Sequence, residues 1–190
     1  MEARRQETVE LLLQNLSSKE PRTKYGSAKR LVSASKDDPA VLYPHFEAFK
    51  ELLDSSNSIL KWNAINIIGN LSSVDIDKKV PPLLPRLYSL LNCGKLITAG
   101  NAILALVNIA GAYPEFRQEI TDELLKVEHY NYDTDECRNI AVGFVLVGIA
   151  SYAQYLTDKQ KAVELAQRQT HNTRNATAKK AEAFLKMHAA

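Results

Sequence analysis

The 190-residue sequence has little of what marks secreted, membrane-spanning or metal-binding proteins. It contains two cysteines, one tryptophan and four dispersed histidines, none at metal-ligand spacing from another histidine or a cysteine. The longest apolar run, 140–150, is well short of the roughly 20 residues that cross a bilayer. The first residues are polar and charged, which does not fit a secretory signal. We therefore expect a cytoplasmic, monomeric protein without a metal, a cofactor or a membrane contact.

Motifs of covalent and metal-dependent catalysis are missing as well. Neither a phosphate-binding glycine loop nor a nucleophile elbow occurs in the sequence. Asp133 and Asp135 begin like a calcium loop, but Phe144 stands where the bidentate glutamate belongs. The sequence therefore predicts that the protein is not an enzyme.

The strongest signal is a phrase that recurs at a spacing of about 40 residues. Residues 67–72 (IIGNLS) are similar to residues 105–110 (ALVNIA), and weaker copies lie at 30–35 (RLVSAS) and 146–150 (LVGIA). Self-similarity at this period is typical of stacked helical hairpins. Cys93 and Cys137 fall about one repeat apart, farther than a disulfide spans between stacked helices, so we expect free thiols.

Ten helical segments alternate between first and second members of hairpins. The predicted ranges are 4–17, 22–36, 40–54, 58–73, 80–92, 96–112, 115–128, 135–152, 157–169 and 173–188. Prolines mark several predicted starts, at Pro21, Pro39, Pro81 and Pro114. Pro44 and Pro85 fall inside first helices and predict kinks there. The segments 55–58 and 133–135 supply capping residues between hairpin members.

The second helices are apolar in the middle of the chain and contain glycines. Residues 140–150 include no charged side chain, which predicts a helix covered by protein on most sides. A glycine inside a helix costs about 1 kcal/mol relative to alanine, so its presence predicts close approach between stacked helices. The glycines concerned are Gly26, Gly69, Gly100, Gly143 and Gly148.

Residues 101–110 (NAILALVNIA), followed by Pro114 and Glu115, resemble the last helix of an armadillo repeat. The resemblance implies an asparagine near the helix end that faces a concave groove and hydrogen-bonds an extended peptide. Asn70 and Asn108 match that position, whereas Ser33 and Gly148 replace it in the flanking repeats.

Other features are more similar to HEAT repeats. Asn66 and Leu104 replace the tryptophan of the armadillo groove, and the units have two helices with a kinked first member. The combined resemblance implies an all-α fold, a right-handed α-solenoid of about five stacked helical hairpins. It implies a single HEAT/armadillo-like repeat domain over residues 1–190.

The second helices predict a concave face that binds a protein or an extended peptide. Its candidate residues are Asn63, Asn66, Asn70, Asn101, Asn108 and Arg138. Asparagine amides supply both donors and acceptors to a peptide backbone that has no partner of its own. The alternative is that these asparagines satisfy neighbouring backbone groups.

Charge is distributed unevenly along the chain. Residues 159–190 carry seven basic and two acidic side chains, a net charge of +5, whereas 115–136 are acidic. A basic patch for nucleic acid is formed by Arg168, Arg174, Lys179, Lys180 and Lys186. Its alternatives are a solvated cap and head-to-tail association with the acidic stretch. A further basic series near second-helix starts, predicting structural ion pairs or a basic groove lining, is Lys24, Lys61, Arg138 and Arg174.

The leading hypothesis is a non-catalytic scaffold that binds a protein or peptide without a cofactor. The alternative is a nucleic-acid-binding HEAT-like protein, including one that excises alkylated bases with Tyr130 and Tyr132 beside Asp133. A third hypothesis is a subunit that only contacts its neighbours in a larger assembly.

Overall fold

The computed structural model describes the backbone of residues 2–188 and the side chains of residues 8–188. This part of the chain contains helices and turns and no strand. Its α-helices are α1 (Glu2–Asn15), α2 (Pro21–Asp37), α3 (Pro39–Leu42), α4 (Phe46–Leu52), α5 (Ser58–Leu71), α6 (Leu84–Leu91), α7 (Leu96–Ala112), α8 (Arg117–Leu125), α9 (Asp135–Ala150), α10 (Gln160–Gln169) and α11 (Asn175–His188). Within residues 2–188, none of these helices is long and apolar enough to cross a membrane.

Short 3-10 turns extend or connect the α-helices. They are Tyr43–His45, Ser72–Val74, Pro81–Leu83, Pro114–Phe116, Lys126–His129 and Ala153–Tyr155. Each of the ten predicted segments contains a helix, with ends shifted by up to a few residues. The predicted all-helical class and its alternation of first and second helices are therefore confirmed.

Prolines interrupt the first helices, although not always where the sequence predicts. At Pro44 the predicted helix 40–54 breaks into α3, the turn Tyr43–His45 and α4, as a residue without an N–H requires. Pro85 produces no kink inside a helix. It is the second residue of α6, where an α-helix loses no hydrogen bond to proline.

The chain forms two compact units, a first unit up to Leu83 and a second unit from Leu84 onward. In the first unit α2 packs against α1 and α5, and α4 packs against α5. In the second unit α7 packs against α6, α8 and α9, while α11 packs against α9 and α10. The single repeat domain over residues 1–190 stays a prediction.

Each unit has its own apolar core. Fully buried side chains of the first unit include Leu31, Leu42, Phe46, Phe49, Ile65 and Ile68. Those of the second unit include Leu87, Leu91, Ile103, Leu106 and Phe184. Because these residues come from first and second helices alike, burying them holds the hairpins together.

Side-chain hydrogen bonds within each unit join residues about one repeat apart. In the first unit the Asn57 amide donates to Tyr25 Oη at 3.0 Å, across 32 positions. In the second unit Tyr132 Oη donates to the Leu91 carbonyl at 2.7 Å, across 41 positions. Contact at this separation means that equivalent parts of successive hairpins lie side by side.

Polar side chains fix the starts of two second helices. Asn57 Oδ1 accepts from the N–H groups of Ile59 and Leu60 at 3.1 and 3.2 Å, at the start of α5. Thr134 Oγ1 accepts from the Cys137 N–H at 3.1 Å, at the start of α9. Both side chains accept hydrogen bonds from backbone N–H groups that a helix N-terminus leaves unsatisfied. The predicted capping is confirmed.

The segment that follows α5 is organised around Asp75. This carboxylate is buried and accepts hydrogen bonds from the N–H groups of Lys79 and Val80 at 2.9 and 2.7 Å. Tyr43 Oη, from the preceding hairpin, donates to Asp75 Oδ1 at 2.6 Å. Burial and the neighbouring carboxylate raise the pKa of Tyr43 to about 12. The hydroxyl therefore stays a donor over the whole neutral range.

Replacing Tyr43 with phenylalanine should lower the free energy of unfolding by about 1–2 kcal/mol, because a buried carboxylate loses a donor. The measurement is urea unfolding followed by circular dichroism. Tyr155→Phe, at an exposed tyrosine, is the matched control and should change the free energy by less than about 0.5 kcal/mol. Equal, small effects of the two substitutions would contradict the role given to Tyr43.

Candidate functional site

An open groove of about 520 Å³ lies in the second unit, where α7, α9 and α11 meet. Its lining is almost entirely apolar: Leu96, Ile97, Gly100, Asn101, Ile103, Leu104, Val107, Phe144, Val147, Gly148 and Lys180. The exposed fractions of Ile97, Leu104, Phe144 and Val147 are 56%, 54%, 41% and 56%. Large apolar side chains gathered at one exposed place mark an interaction surface.

Helix α9 is covered by protein on most sides over residues 140–150, as its uncharged sequence predicts, and within this stretch Phe144 and Val147 are the exposed residues. Ala141, Val145 and Ile149 are buried, whereas Phe144 and Val147 face the groove. A helix in a stack of hairpins packs against neighbours on only part of its circumference. The remaining apolar side chains of α9 have no helix packed over them, and they form one wall of the groove.

Two glycines allow α7 and α9 to approach each other at the groove. A Cβ atom at Gly148 would overlap Val107 Cγ2, and one at Gly100 would stand 3.2 Å from Phe144 Cε2. The expected close approach is therefore found here, with side chains filling the space that glycine leaves. It is not found at Gly26, where a Cβ atom would meet nothing within 4 Å.

Two polar residues stand at the groove. The Asn101 amide donates to the Ile97 carbonyl at 2.6 Å, one helical turn earlier. Lys180, from α11, holds its ammonium 5.4 Å from the centre of the Phe144 ring. The groove therefore combines an apolar surface with one amide and one positive charge.

The predicted asparagines separate into two sets that belong to different units. Asn63, Asn66 and Asn70 lie on α5 of the first unit, whereas Asn101 and Asn108 lie on α7 of the second unit. Asn101 lines the groove, and Asn108 is half-buried outside its lining. The two-rung ladder of Asn70 and Asn108 therefore stays a prediction.

Several asparagine amides are occupied by local hydrogen bonds. Asn70 Nδ2 donates to Ser35 Oγ at 2.9 Å, across 35 positions, and so joins two second helices. Asn66 Nδ2 donates to the Trp62 carbonyl at 3.1 Å. These contacts favour the structural alternative for this pair, since the same amide protons are not available to a peptide at the same time.

Two of the four residues in the predicted basic series, Arg138 and Arg174, form ion pairs. Arg138 pairs with Asp135 at 2.7 Å, as the structural interpretation of the basic series predicts. Asp133, the other candidate partner, pairs instead with Lys95 at 2.8 Å, across 38 positions. The Lys95–Asp133 contact joins the turns of two successive hairpins.

The basic end of the chain meets the acidic stretch 115–136 inside the same molecule. Arg168 pairs with Glu128 at 2.5 Å, and this hydrogen-bonded contact raises the pKa of Arg168. Arg174 pairs with Glu136. Two of the five patch residues thus have acidic partners in the second unit, while Lys179 and Lys186 are exposed and Lys180 lines the groove.

Two of the three residues considered for base excision, Tyr132 and Asp133, are engaged in structural contacts. Tyr132 donates to the Leu91 carbonyl, and burial raises the pKa of its hydroxyl. Asp133 pairs with Lys95, and its N–H donates to the Gly94 carbonyl at 3.2 Å. Gly94 has a φ of 76°, the left-handed conformation that favours glycine. This cluster joins two turns.

Sequence reasoning missed the apolar groove residues Ile97, Phe144 and Val147 as functional candidates. Their spacing in the sequence was a signal. Ile97 and Leu104 are seven positions apart, and Phe144 and Val147 are three positions apart, so the residues of each pair share a helix face. However, the same spacing describes a buried core face. Leu104 was noted only as the replacement of a groove tryptophan, and it does line the groove.

No protein-family model and no curated protein sequence matches this chain. Solved structures do. A designed armadillo repeat protein in complex with the peptide (KR)4 has a TM-score of 0.62 at 19% identity, covering 96% of this chain and 80% of that chain. Computationally designed armadillo repeat proteins for modular peptide recognition have a TM-score of 0.60 at 19% identity, covering 93% of this chain and 80% of that chain. The fold is an armadillo/HEAT-like α-solenoid.

A further structural likeness is the MAST/Orbit N-terminal domain, with a TM-score of 0.53 at 15% identity, covering 92% of this chain and 80% of that chain. At identities this low the likenesses show the fold alone. They confirm the predicted armadillo/HEAT-like resemblance and the stack of helical hairpins.

Replacing Gly148 with alanine should destabilise the protein by about 1–2 kcal/mol, because the stiff Val107 side chain must move to admit a Cβ atom. Gly26→Ala is the matched control: in open space the better helix former should stabilise the protein by up to about 1 kcal/mol. Urea unfolding measures both. The double variant Gly148→Ala, Val107→Ala should lose less free energy of unfolding than the sum of the losses in the two single variants. Strict additivity of these losses would contradict the contact between the two residues.

Replacing Glu128 with alanine should lower the free energy of unfolding by about 1–2 kcal/mol, because its carboxylate is 10% exposed and accepts two Arg168 N–H groups. Asp135→Ala removes the exposed partner of Arg138, 83% accessible, and should cost less than about 0.5 kcal/mol. Thermal and urea unfolding compare the two variants. A larger loss for Asp135→Ala would refute this ranking.

Proposed function

We propose that this chain is a non-catalytic scaffold that binds a peptide segment of a partner protein in the groove between α7 and α9. The observation that carries the proposal is the group of exposed apolar side chains Ile97, Leu104, Phe144 and Val147 around one open volume of about 520 Å³. Burying such side chains against a partner releases about 25 cal/mol per Å² of apolar area. A peptide that enters the groove would gain this energy.

The structural neighbours support the same class of function. Two of them are a designed armadillo repeat protein bound to a peptide and designed proteins for modular peptide recognition. Nucleic-acid binding has less support, because Arg168 and Arg174 of the basic patch already pair with carboxylates.

The proposal is tested by selecting a random 12-residue peptide display library on the native chain and on Val147→Glu. We expect the native chain to enrich peptides with large apolar side chains, and Val147→Glu to lose them, because a carboxylate at this position cannot be buried cheaply. Val147 is more than half exposed, so the variant should keep the native melting temperature.

Met187→Glu is the matched control, since Met187 is an exposed apolar residue of α11 outside the groove lining. It should enrich the same peptides as the native chain. If the native chain enriches no peptide, or if Val147→Glu retains the same set, the groove is not the binding site.

A further inference from the structure

The residues that line the groove carry a single charge, and this charge is positive. Of its eleven lining residues, Lys180 is ionised, Asn101 is polar and neutral, and the rest are apolar. None of the lining residues is acidic. A peptide in this groove would therefore meet one fixed positive charge beside a large apolar surface.

Lys180 is held at the groove by the way α11 packs on α9. A Cβ atom at Gly143 would stand 3.0 Å from Thr177 Oγ1, 3.3 Å from Lys180 Nζ and 3.4 Å from Lys180 Cδ. The absence of a side chain at Gly143 therefore lets the lysine lie across α9. Thr177 Oγ1 donates to the Asn139 carbonyl at 2.8 Å and fixes the approach of the two helices.

The Lys180 ammonium differs from three other basic groups of this end of the chain. Lys161, Arg168 and Arg174 each pair with a carboxylate of the stretch 115–136. Among the side chains of residues 8–188, no carboxylate pairs with Lys180, whose charge faces the Phe144 ring. A half-buried cation beside an aromatic face is partly desolvated, and a carboxylate that reaches it gains a charge-assisted hydrogen bond.

We infer that the groove selects a peptide segment in which an acidic side chain stands near a large apolar one. The apolar side chain packs among Leu104, Phe144 and Val147, and the Asp or Glu carboxylate reaches Lys180. This inference rests on the proposed function and adds the charge of the ligand to it. Such a segment differs from the basic peptide (KR)4 in the complex of the designed neighbour, because a lysine or arginine beside Lys180 is repelled.

The test uses a random 12-residue library displayed with its C-terminal end fused to the carrier, so that no free terminal carboxylate is present. It is selected on the native chain, on Lys180→Glu and on Lys179→Glu. Lys179 is the matched control because it is an exposed neighbour on the same helix that does not line the groove. Both charge reversals alter the net charge equally.

We expect the native chain and Lys179→Glu to enrich Asp and Glu among the apolar peptides, and Lys180→Glu to enrich Lys and Arg instead. A selected peptide is then synthesised with blocked ends, and its acidic residue is exchanged for Asn or Gln. This exchange should weaken binding to the native chain about tenfold and should change binding to Lys180→Met little. The affinity for the native chain should fall with rising salt.

The outcomes separate the two proposals. Apolar peptides that depend on Val147 but show no preference for acidic residues, or that bind Lys180→Glu and the native chain alike, overturn this inference and leave the proposed function standing. A selected peptide that binds the native chain equally well after its acidic residue is exchanged for Asn or Gln also overturns the choice of an acidic side chain. The absence of any Val147-dependent peptide overturns both proposals.

Discussion

The fold depends on contact between equivalent positions of successive hairpins. Within each unit, side chains 31 to 41 positions apart share hydrogen bonds, from Asn57 with Tyr25 to Tyr132 with Leu91. A single hairpin of this size cannot bury its apolar face alone, so its stability comes from the neighbour on which it stacks. The helix break at Pro44 is tolerated because it lies in a first helix and leaves the second helices intact.

Close stacking also creates the groove. Gly100 and Gly148 bring α7 and α9 together at the expense of helix propensity, and Phe144 and Val107 occupy the space that a Cβ atom would need. The two helices bury their apolar residues against each other and against their hairpin partners. Their remaining apolar residues stand in the open between them. An exposed apolar surface is therefore a consequence of how the repeats pack.

Electrostatics divides the basic end of the chain into two parts. Arg168 and Arg174 neutralise Glu128 and Glu136 of the preceding repeat, so the net charge of +5 over residues 159–190 overstates what a partner would meet. Lys180 instead lies at the groove, with its ammonium over an aromatic ring. Charges that are paired between repeats are unavailable to a partner, whereas the charge of Lys180 stands at the groove.

The sequence alone determined the helices, their alternation and the repeat period, because apolar spacing, prolines and caps such as Asn57 and Thr134 act locally. It could not determine which apolar residues of α9 are covered. The sequence of residues 140–150 is compatible both with a helix that its neighbours bury completely and with one that leaves Phe144 and Val147 exposed. Likewise the proximity of Lys180 to Phe144, across 36 positions, follows from the packing of α11 at Gly143. Only the tertiary structure decided these features, because burial and charge pairing depend on residues that are distant in the chain.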